Sequence, residues 1–253
     1  MIISGADVTD LKALEQELDK FKPDVVVNAA VKKGKPNIDW CEDHKIETLA
    51  VNTQGAINIL LACQPRGSYL IHLASGCIYD NAGYDQPLTE TAQASPPSFY
   101  SWTKYWADEV LKNFPVLILR LRLPINSSHD AGNLITKLAR YSKVIDVENS
   151  ATVIPDFLYA MDQLAAKRKT GIYNVVNPGT IKYRDLMPLY LKLVDPNHKY
   201  EMISVQDLFK QGLARAGRSN CILSTAKLES EGIKLRHIDE ALKDILIQYS
   251  KNI

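Results

Sequence analysis

The sequence predicts an α/β fold: a doubly wound parallel sheet with a small C-terminal lobe. Two observations carry this. Short β-branched runs without polar alternation, the mark of strands buried on both faces, recur between stretches whose apolar residues follow helical spacing. Such alternation implies right-handed βαβ crossovers and a parallel sheet. Beyond Pro124 the pattern loosens, as expected of a smaller lobe lying over the strand ends, where α/β sheets bind ligands. A chain of 253 residues suits one nucleotide-type domain with such a lobe.

Taken in order, Leu11 to Phe21 has leucines at helical spacing, and Asp10 can cap its first turn. Pro23-Asp24 breaks it. Asp24 to Ala30 (DVVVNAA) reads as a buried strand, Ile38 to Gln64 as one long helix, and Tyr69 to Ala74 (YLIHLA) as a second buried strand. Residues 81–98, rich in Gly, Pro, Ser and Thr, read as a loop. Phe99 to Asn113 is helical and Val116 to Leu123 (VLILRLRL) is a strand. Further on, Ile172 to Val176 reads as a strand, with helices at Tyr183 to Val194 and His237 to Tyr249.

Composition excludes several classes. It is 46% hydrophobic and 23% charged, ordinary for a soluble globular protein. A formal net charge of +1 gives no reason to expect a nucleic-acid partner. Cys41, Cys63, Cys77 and Cys221 form no CxxC pair, so neither zinc nor a disulfide framework is expected, and the usage fits a reducing, cytoplasmic compartment. No apolar run reaches the ~18 residues of a membrane span. Met1 to Asp10 lacks the basic flank and apolar core of a signal peptide. The five histidines show no metal spacing. Gly212 to Ser219 has a superficial P-loop look but carries arginine where lysine belongs.

The chemistry-bearing pattern is Tyr100-Ser-Trp-Thr-Lys104. Tyrosine and lysine four apart share one helical face, and a nearby ammonium stabilises phenolate, making proton exchange near neutral pH feasible. Alone the spacing is weak, because an ordinary exposed helix pair has it too. Upstream, however, the strand Tyr69 to Ala74 runs into Ser75-Gly76-Cys77-Ile78. A hydroxyl at a strand's carboxyl end, then a loop, then YxxxK resembles the Ser/Thr–Tyr–Lys arrangement of extended short-chain dehydrogenase/reductases, whose core is a Rossmann-like sheet. The resemblance implies that Ser75 hydrogen-bonds a substrate carbonyl, that Tyr100 donates or accepts the proton, and that Lys104 tunes Tyr100 and holds the cofactor ribose. Val27-Asn28-Ala29-Ala30 resembles the NAA strand end beside the cofactor, Val51-Asn52-Thr53-Gln54-Gly55 the VNxxG of the next helix, and Leu121-Arg122-Leu123-Pro124 the segment whose proline lies near the nicotinamide. Asn28, Ala29, Ala30, Asn52, Tyr100, Lys104 and Pro124 are thereby expected to face NADPH or NADH.

Within that family the chain is most similar to nucleotide-rhamnose synthase/epimerase-reductases, relatives of dTDP-4-dehydrorhamnose reductase. Gly34-Lys35-Pro36-Asn37-Ile38-Asp39-Trp40-Cys41-Glu42 matches their GxPNxDWCE segment, and Ser75 to Ile78, Asn133 to Lys137, Asn177 to Gly179 and Arg218-Ser219-Asn220 also match. The implied reaction is reduction of a 4-keto-6-deoxyhexose on a nucleotide diphosphate, with epimerisation at C3 and C5. Cys77 and Lys137 fall on the positions of the epimerisation acid/base pair. Lys35, Asn37, Trp40, Asn133, Arg218 and Asn220 fall on nucleotide-sugar contacts. The expected division is a Rossmann-like domain over 1–125 and about 151–176, and a substrate lobe over 126–150 and 177–253. A homodimer through helices is also implied.

Each of these residues has a plainer reading. Cys77 could be a small buried hydrophobe, Lys137 a solvated helix face, Arg218-Ser219-Asn220 a surface turn, Asn28 a strand cap and Trp40 core. The family also opens on a strand, a GxxGxxG turn and a helix that hold the pyrophosphate. No two glycines here lie three apart, and only Gly5 and Gly34 precede Gly55. The expectation is that this βα unit is missing, that the sheet is left with a gap or with the family's third and fourth strands re-paired, and that dinucleotide binding is weak. The alternative is a non-catalytic nucleotide-sugar-binding or regulatory subunit on the same scaffold, as in the regulatory subunit of methionine adenosyltransferase.

Overall fold

A computed structural model describes residues 1–80 and 85–252. Residues 81–84 of the expected loop therefore lie outside the described residues. Helix α1 (Leu11–Phe21) starts where Asp10 accepts a hydrogen bond from Ala13 N and stops at Lys22 in the left-handed region, φ 44°. Strand β1 (Val25–Asn28) follows. The long helix expected over 38–64 is instead broken into α2 (Trp40–Asp43), α3 (Lys45–Leu49), one π-helical turn over Ala50–Gln54, and α4 (Gly55–Cys63). The first break is at His44, φ −121°. The second sits at Asn52, whose side chain is drawn to Lys32; such π turns recur where a residue has a job other than helix packing. A Cβ on Gly55 would lie 2.6 Å from Val8 Cγ2, so glycine lets α4 close on the segment before α1.

Strand β2 (Tyr69–Ser75) is followed by a 3-10 turn over Gly76–Ile78, and, after the connection that includes residues 81–84, by α5 (Phe99–Leu111), capped by Ser98, and then by β3 (Leu117–Leu121). Short strands β4 (Pro124–Ile125), β5 (Lys143–Ile145), β6 (Glu148–Asn149) and β7 (Thr152–Val153) flank helix α6 (Leu134–Leu138). Helix α7 (Ile154–Ala166), with proline in its first turn as helices tolerate, was not anticipated from the sequence. After it come β8 (Gly171–Asn174), β9 (Ile181–Lys182), α8 (Tyr183–Leu193), β10 (Glu201–Ile203), α9 (Val205–Lys210), α10 (Ala226–Ser230) and α11 (Ile238–Lys251).

The central sheet is parallel throughout, in the order β1-β2-β3-β8. One face is packed by α4 and α5, where Ile59, Leu60, Ala107 and Leu111 meet Leu70 and Ile118, with Leu14 and Leu18 of α1 against them. The opposite face meets α7 through Phe157, Ala160 and Leu164, which pack on Ile71, Leu117 and Leu119. Helices on both faces explain the runs without alternation in β2 and β3; β1, expected to be buried on both faces, is not, and leaves Val25 and Val27 exposed. A separate cluster, built from Leu134, Ile135, Val153, Leu186, Met187, Leu242 and Ile245, unites α6, α8 and α11. The sheet has neither the gap nor the re-pairing expected above: β1 is its edge, residues 1–6 form no strand, and Val25 and Val27 are 40% and 44% exposed.

Candidate active site

Ser75 ends β2 opposite Leu121 of β3 and is buried; its Oγ accepts from Cys77 N at 3.1 Å, which starts the turn carrying Cys77. The same hydroxyl is close enough to the Tyr100 phenol, in the first turn of α5, to pull its pKa down. One turn on, Lys104 is 2% exposed, and its Nζ donates to Leu73 O at 3.0 Å and lies 3.4 Å from His72 Nε2. Burial pulls the Lys104 amine down to about 8 despite the opposing carboxylate of Asp108. Desolvation pushes the Tyr100 phenol above its ordinary value, reinforced by Cys77 and opposed by Ser75 and Arg122. That direction is the reverse of the one expected from YxxxK. The amine is turned toward a backbone carbonyl of β2, so desolvation decides.

Asn28, buried at the end of β1, accepts from Ala30 N with Oδ1 (3.0 Å) and presents Nδ2 to His72 Nδ1 (3.0 Å). It thus does cap the strand end, but also reaches across to β2. Ala29 is exposed and Ala30 half-buried beside it, and Pro124 is exposed at the start of β4. Asn52 is engaged with protein: Oδ1 accepts from Lys32 N (2.7 Å), while Nδ2 donates to Lys32 O (2.9 Å) and to Thr103 Oγ1 (3.1 Å).

Cys77 is half-buried, and Arg122 Nη1 donates to its Sγ at 2.9 Å. Arg122 itself is buried and anchored by Asn149 Oδ1 and by Ser219 O. Lys137 of α6 is half-buried rather than solvated. Burial lowers its amine, Lys33 lowers it further and Cys77 opposes, so Lys137 stands within electrostatic reach of the thiol. Asn133 caps α6 and donates to Asn126 O and Ser128 O, so its amide holds the loop before the helix.

The two most family-specific segments meet. Arg218 donates to both oxygens of Asp39 at 2.9 and 3.0 Å, and Ala216 N donates to Asp39 Oδ1 as well. Glu42 accepts from Phe99 N at the start of α5, and Asn220 Oδ1 accepts from Asn149 Nδ2. Trp40 is half-buried, stacks on His44 at 3.8 Å between ring centroids and has Lys32 Nζ 5.2 Å above it. Gly34, at φ 67°, lies against it. Asn37 Oδ1 accepts from Asp39 N, and Lys35 is exposed.

Sequence reasoning overlooked His72, Arg122 and Asp39 as parts of this site. For His72 and Arg122 the available signal was a polar or charged side chain inside an apolar strand run (YLIHLA, LILRLRL), which a buried strand does not carry without a partner; Asp39, just before α2, carried no such signal.

Residues 3–251 match the family model described as the RmlD substrate binding domain. The chain belongs to this family. It is 36% identical to the bifunctional dTDP-4-dehydrorhamnose 3,5-epimerase/dTDP-4-dehydrorhamnose reductase of Arabidopsis thaliana, with 96% of this chain and 82% of that protein covered. It is 33% identical to a trifunctional UDP-glucose 4,6-dehydratase/UDP-4-keto-6-deoxy-D-glucose 3,5-epimerase/UDP-4-keto-L-rhamnose-reductase of the same plant; there the match covers 96% of this chain and 37% of the larger protein. The crystal structure of the L780 UDP-rhamnose synthase of Acanthamoeba polyphaga mimivirus superposes with a TM-score of 0.90, at 26% identity, covering 98% of this chain and 90% of that one. RMD from Pseudomonas aeruginosa, complexed with NADPH, shares the fold with a TM-score of 0.79 at 21% identity, over all of this chain and 90% of that one. Among the described residues no helix is long and apolar enough to cross a membrane.

Proposed function

We propose that the chain reduces a nucleotide-diphosphate-linked 4-keto-6-deoxyhexose, with NADPH or NADH as reductant, and epimerises C3 and C5 of the same sugar. The observation that carries the reading is the convergence of Ser75, Tyr100 and a fully buried Lys104 at the carboxyl end of a parallel strand. The names of the relatives described above support the substrate class.

The cofactor fits this site at its nicotinamide–ribose end. Asn28, Tyr100 and Lys104 are gathered there, whereas beside the edge strand β1 no glycine-rich turn stands among the described residues. When bound, the dihydronicotinamide supplies hydride to C4. Tyr100, held protonated by its surroundings, gives its proton to the 4-oxygen, and Ser75 donates a hydrogen bond to that oxygen and orients it. Cys77 and Lys137 exchange the protons at the carbons flanking the 4-keto group, and Arg122 fixes the sulfur. Lys35, Asn37 and Trp40 approach the nucleotide sugar from the Gly34–Glu42 segment. Arg218 and Asn133 act on it indirectly, by holding Asp39 and the start of α6. The sheet and its two helical layers form the cofactor domain, and residues 126–150 and 177–253 form the substrate lobe. A binding or regulatory role on the same scaffold is the second reading, favoured by the exposed edge of β1.

The test is Tyr100→Phe in the complete protein, assayed for NADPH- or NADH-dependent reduction of the keto-sugar. Loss of a positioned acid should lower kcat by about 10²–10⁴-fold. Reduction at the native rate would sink the catalytic reading.

A further inference from the structure

We propose that Tyr183, the first residue of α8, is a substrate-contacting residue whose phenol donates a hydrogen bond to the hydroxyl on C3 of the keto-sugar. The inference deepens the role given above to the Cys77 site and rests on it.

Tyr183 comes to the site from the substrate lobe. Strand β9 pairs antiparallel with β6, Glu148 against Lys182 and Asn149 against Ile181, and Tyr183 N extends this ladder by donating to Val147 O at 3.3 Å. The Asn149 side chain accepts from Arg122 Nη2 at 2.7 Å, while Arg122 Nη1 donates to Cys77 Sγ at 2.9 Å. One short ribbon thus positions both the guanidinium that holds the thiol and the backbone of Tyr183. The tyrosine ring packs into the cluster of α6, α8 and α11. Its phenol stands within electrostatic reach of Arg122 from β3, Cys77 from the turn after β2, and Tyr141 from the segment after α6.

The oxygen of this side chain is unusual. Tyr183 is 7% exposed, yet among the described residues its hydroxyl makes no hydrogen bond. Buried phenols as a rule find a partner. Those of Tyr69, Tyr79, Tyr173 and Tyr249 do so, with Lys169 O, Arg120, Glu231 and Thr136. Tyr190 is the other exception, but it lies edge-on to His198, beside Tyr249 and Asp195, with Cys77 not among its neighbours. The Tyr183 oxygen is also not among the buried unpaired atoms, which belong to Asp108, Arg122, Asn174 and His198. An oxygen that is neither bonded nor sealed opens on a space, and the groups around that space are Arg122 and Cys77. Burial pushes the phenol up to about 12, with Tyr141 and Cys77 adding and Arg122 opposing, so it keeps its proton and acts as a donor. The ligand's chemistry selects the acceptor. Of the two carbons flanking the 4-keto group of a 6-deoxyhexose, C5 bears a methyl group and C3 a hydroxyl. A donor beside the thiol therefore meets the C3 hydroxyl.

Tyr183→Phe removes one oxygen that no protein group bonds, so its melting temperature should be no lower than the native one. In the complete protein, KM for the keto-sugar and Kd for its reduced product, the nucleotide-linked 6-deoxyhexose, should each rise about three- to ten-fold, the share of one neutral hydrogen bond. With ground and transition states losing the same contact, kcat should change little. Titration with the nucleoside diphosphate alone should give the native Kd. The nucleotide-linked 3,6-dideoxyhexose, which lacks the C3 hydroxyl, should bind native protein and variant equally. Native KM and Kd in the variant overturn the proposal. So do an equal loss for the diphosphate alone, a penalty that persists on the 3-deoxy analogue, or a lower melting temperature, which would give the oxygen a structural partner. Should the native protein neither bind nor reduce a nucleotide keto-sugar, the proposed function itself falls and this contact with it; the comparison of native and variant keeps the two failures apart.

Discussion

Replacing Arg120 by methionine tests how the helix that carries Tyr100 and Lys104 is held to the sheet. Arg120 is 3% exposed on β3. Its Nε donates to Asp108 Oδ2 at 2.9 Å, and its Nη1 donates to Tyr79 Oη at 2.6 Å and to Glu90 O at 3.1 Å. Asp108 is fully buried on α5, and among the described residues its Oδ1 has no hydrogen-bond partner. Methionine keeps the apolar stem but leaves the carboxylate alone. Removing one member of a buried pair costs about 3–5 kcal/mol, a large part of the ~5–15 kcal/mol that holds a domain folded. The pH dependence follows. Burial raises the Asp108 carboxyl above 3.8 while Arg120 pulls it down. An acid raised in the folded state contributes stability below its unfolded value and loses it as pH climbs through the folded one. Without Arg120 the carboxyl rises further, so the deficit of Arg120→Met should be smallest in acid and grow toward neutrality. Urea unfolding followed by circular dichroism at several pH values measures it. The double variant Arg120→Met/Asp108→Leu should recover most of the loss, because no charge remains buried. A deficit below about 1 kcal/mol at neutral pH, no change with pH, or a double variant no better than the single one would refute the reasoning.

Cys77→Ala should spare reduction and slow solvent-deuterium uptake at C3 and C5 of the keto-sugar; uptake at the native rate returns Cys77 to a packing role. Gly34→Ala sets a Cβ 2.5 Å from Trp40 Cβ at φ 67°, so the indole must shift. A loss of about 1–3 kcal/mol with altered tryptophan fluorescence is expected, and an unperturbed spectrum would contradict the close approach.

The fold was legible wherever one element answers to one local pattern. DVVVNAA, YLIHLA and VLILRLRL are β1, β2 and β3, and Ser98 caps α5 where the tyrosine–lysine spacing begins. The break of the 38–64 helix was not legible. Its apolar spacing continues through the π turn, and the cause, Asn52 reaching Lys32, lies 20 residues away. Arg122 is similar: its partners Asn149 and Ser219 are 27 and 97 residues on. The Tyr100 shift ran opposite to expectation because spacing says that Lys104 shares its face, while the carbonyl of Leu73 determines where the amine points.

Motif identity also cannot separate residues that hold the site from residues with atoms left for a ligand, and the structure draws that line between Asn52 and Lys137. All of the Asn52 amide is engaged: it ties the backbone of Lys32, after β1, to Thr103 on α5. Alanine there strips partners from three polar groups around a site that is 1% exposed. At about 1–3 kcal/mol for each group left unsatisfied, partly relieved by water at Lys32, a loss of roughly 2–3 kcal/mol is expected. Lys137 is the opposite case. Burial already opposes its charge, and among the described residues its amine makes no hydrogen bond. Methionine keeps the stem and removes a desolvated cation, so stability should stay within about 0.5 kcal/mol of the native value while deuterium uptake by the keto-sugar falls. The two variants, compared by urea unfolding and isotope exchange, should therefore separate cleanly: one loses stability, the other chemistry. An Asn52→Ala chain as stable as the native one, or a Lys137→Met chain that unfolds while still exchanging, would mean that side-chain satisfaction is the wrong criterion for telling scaffold from site in this fold.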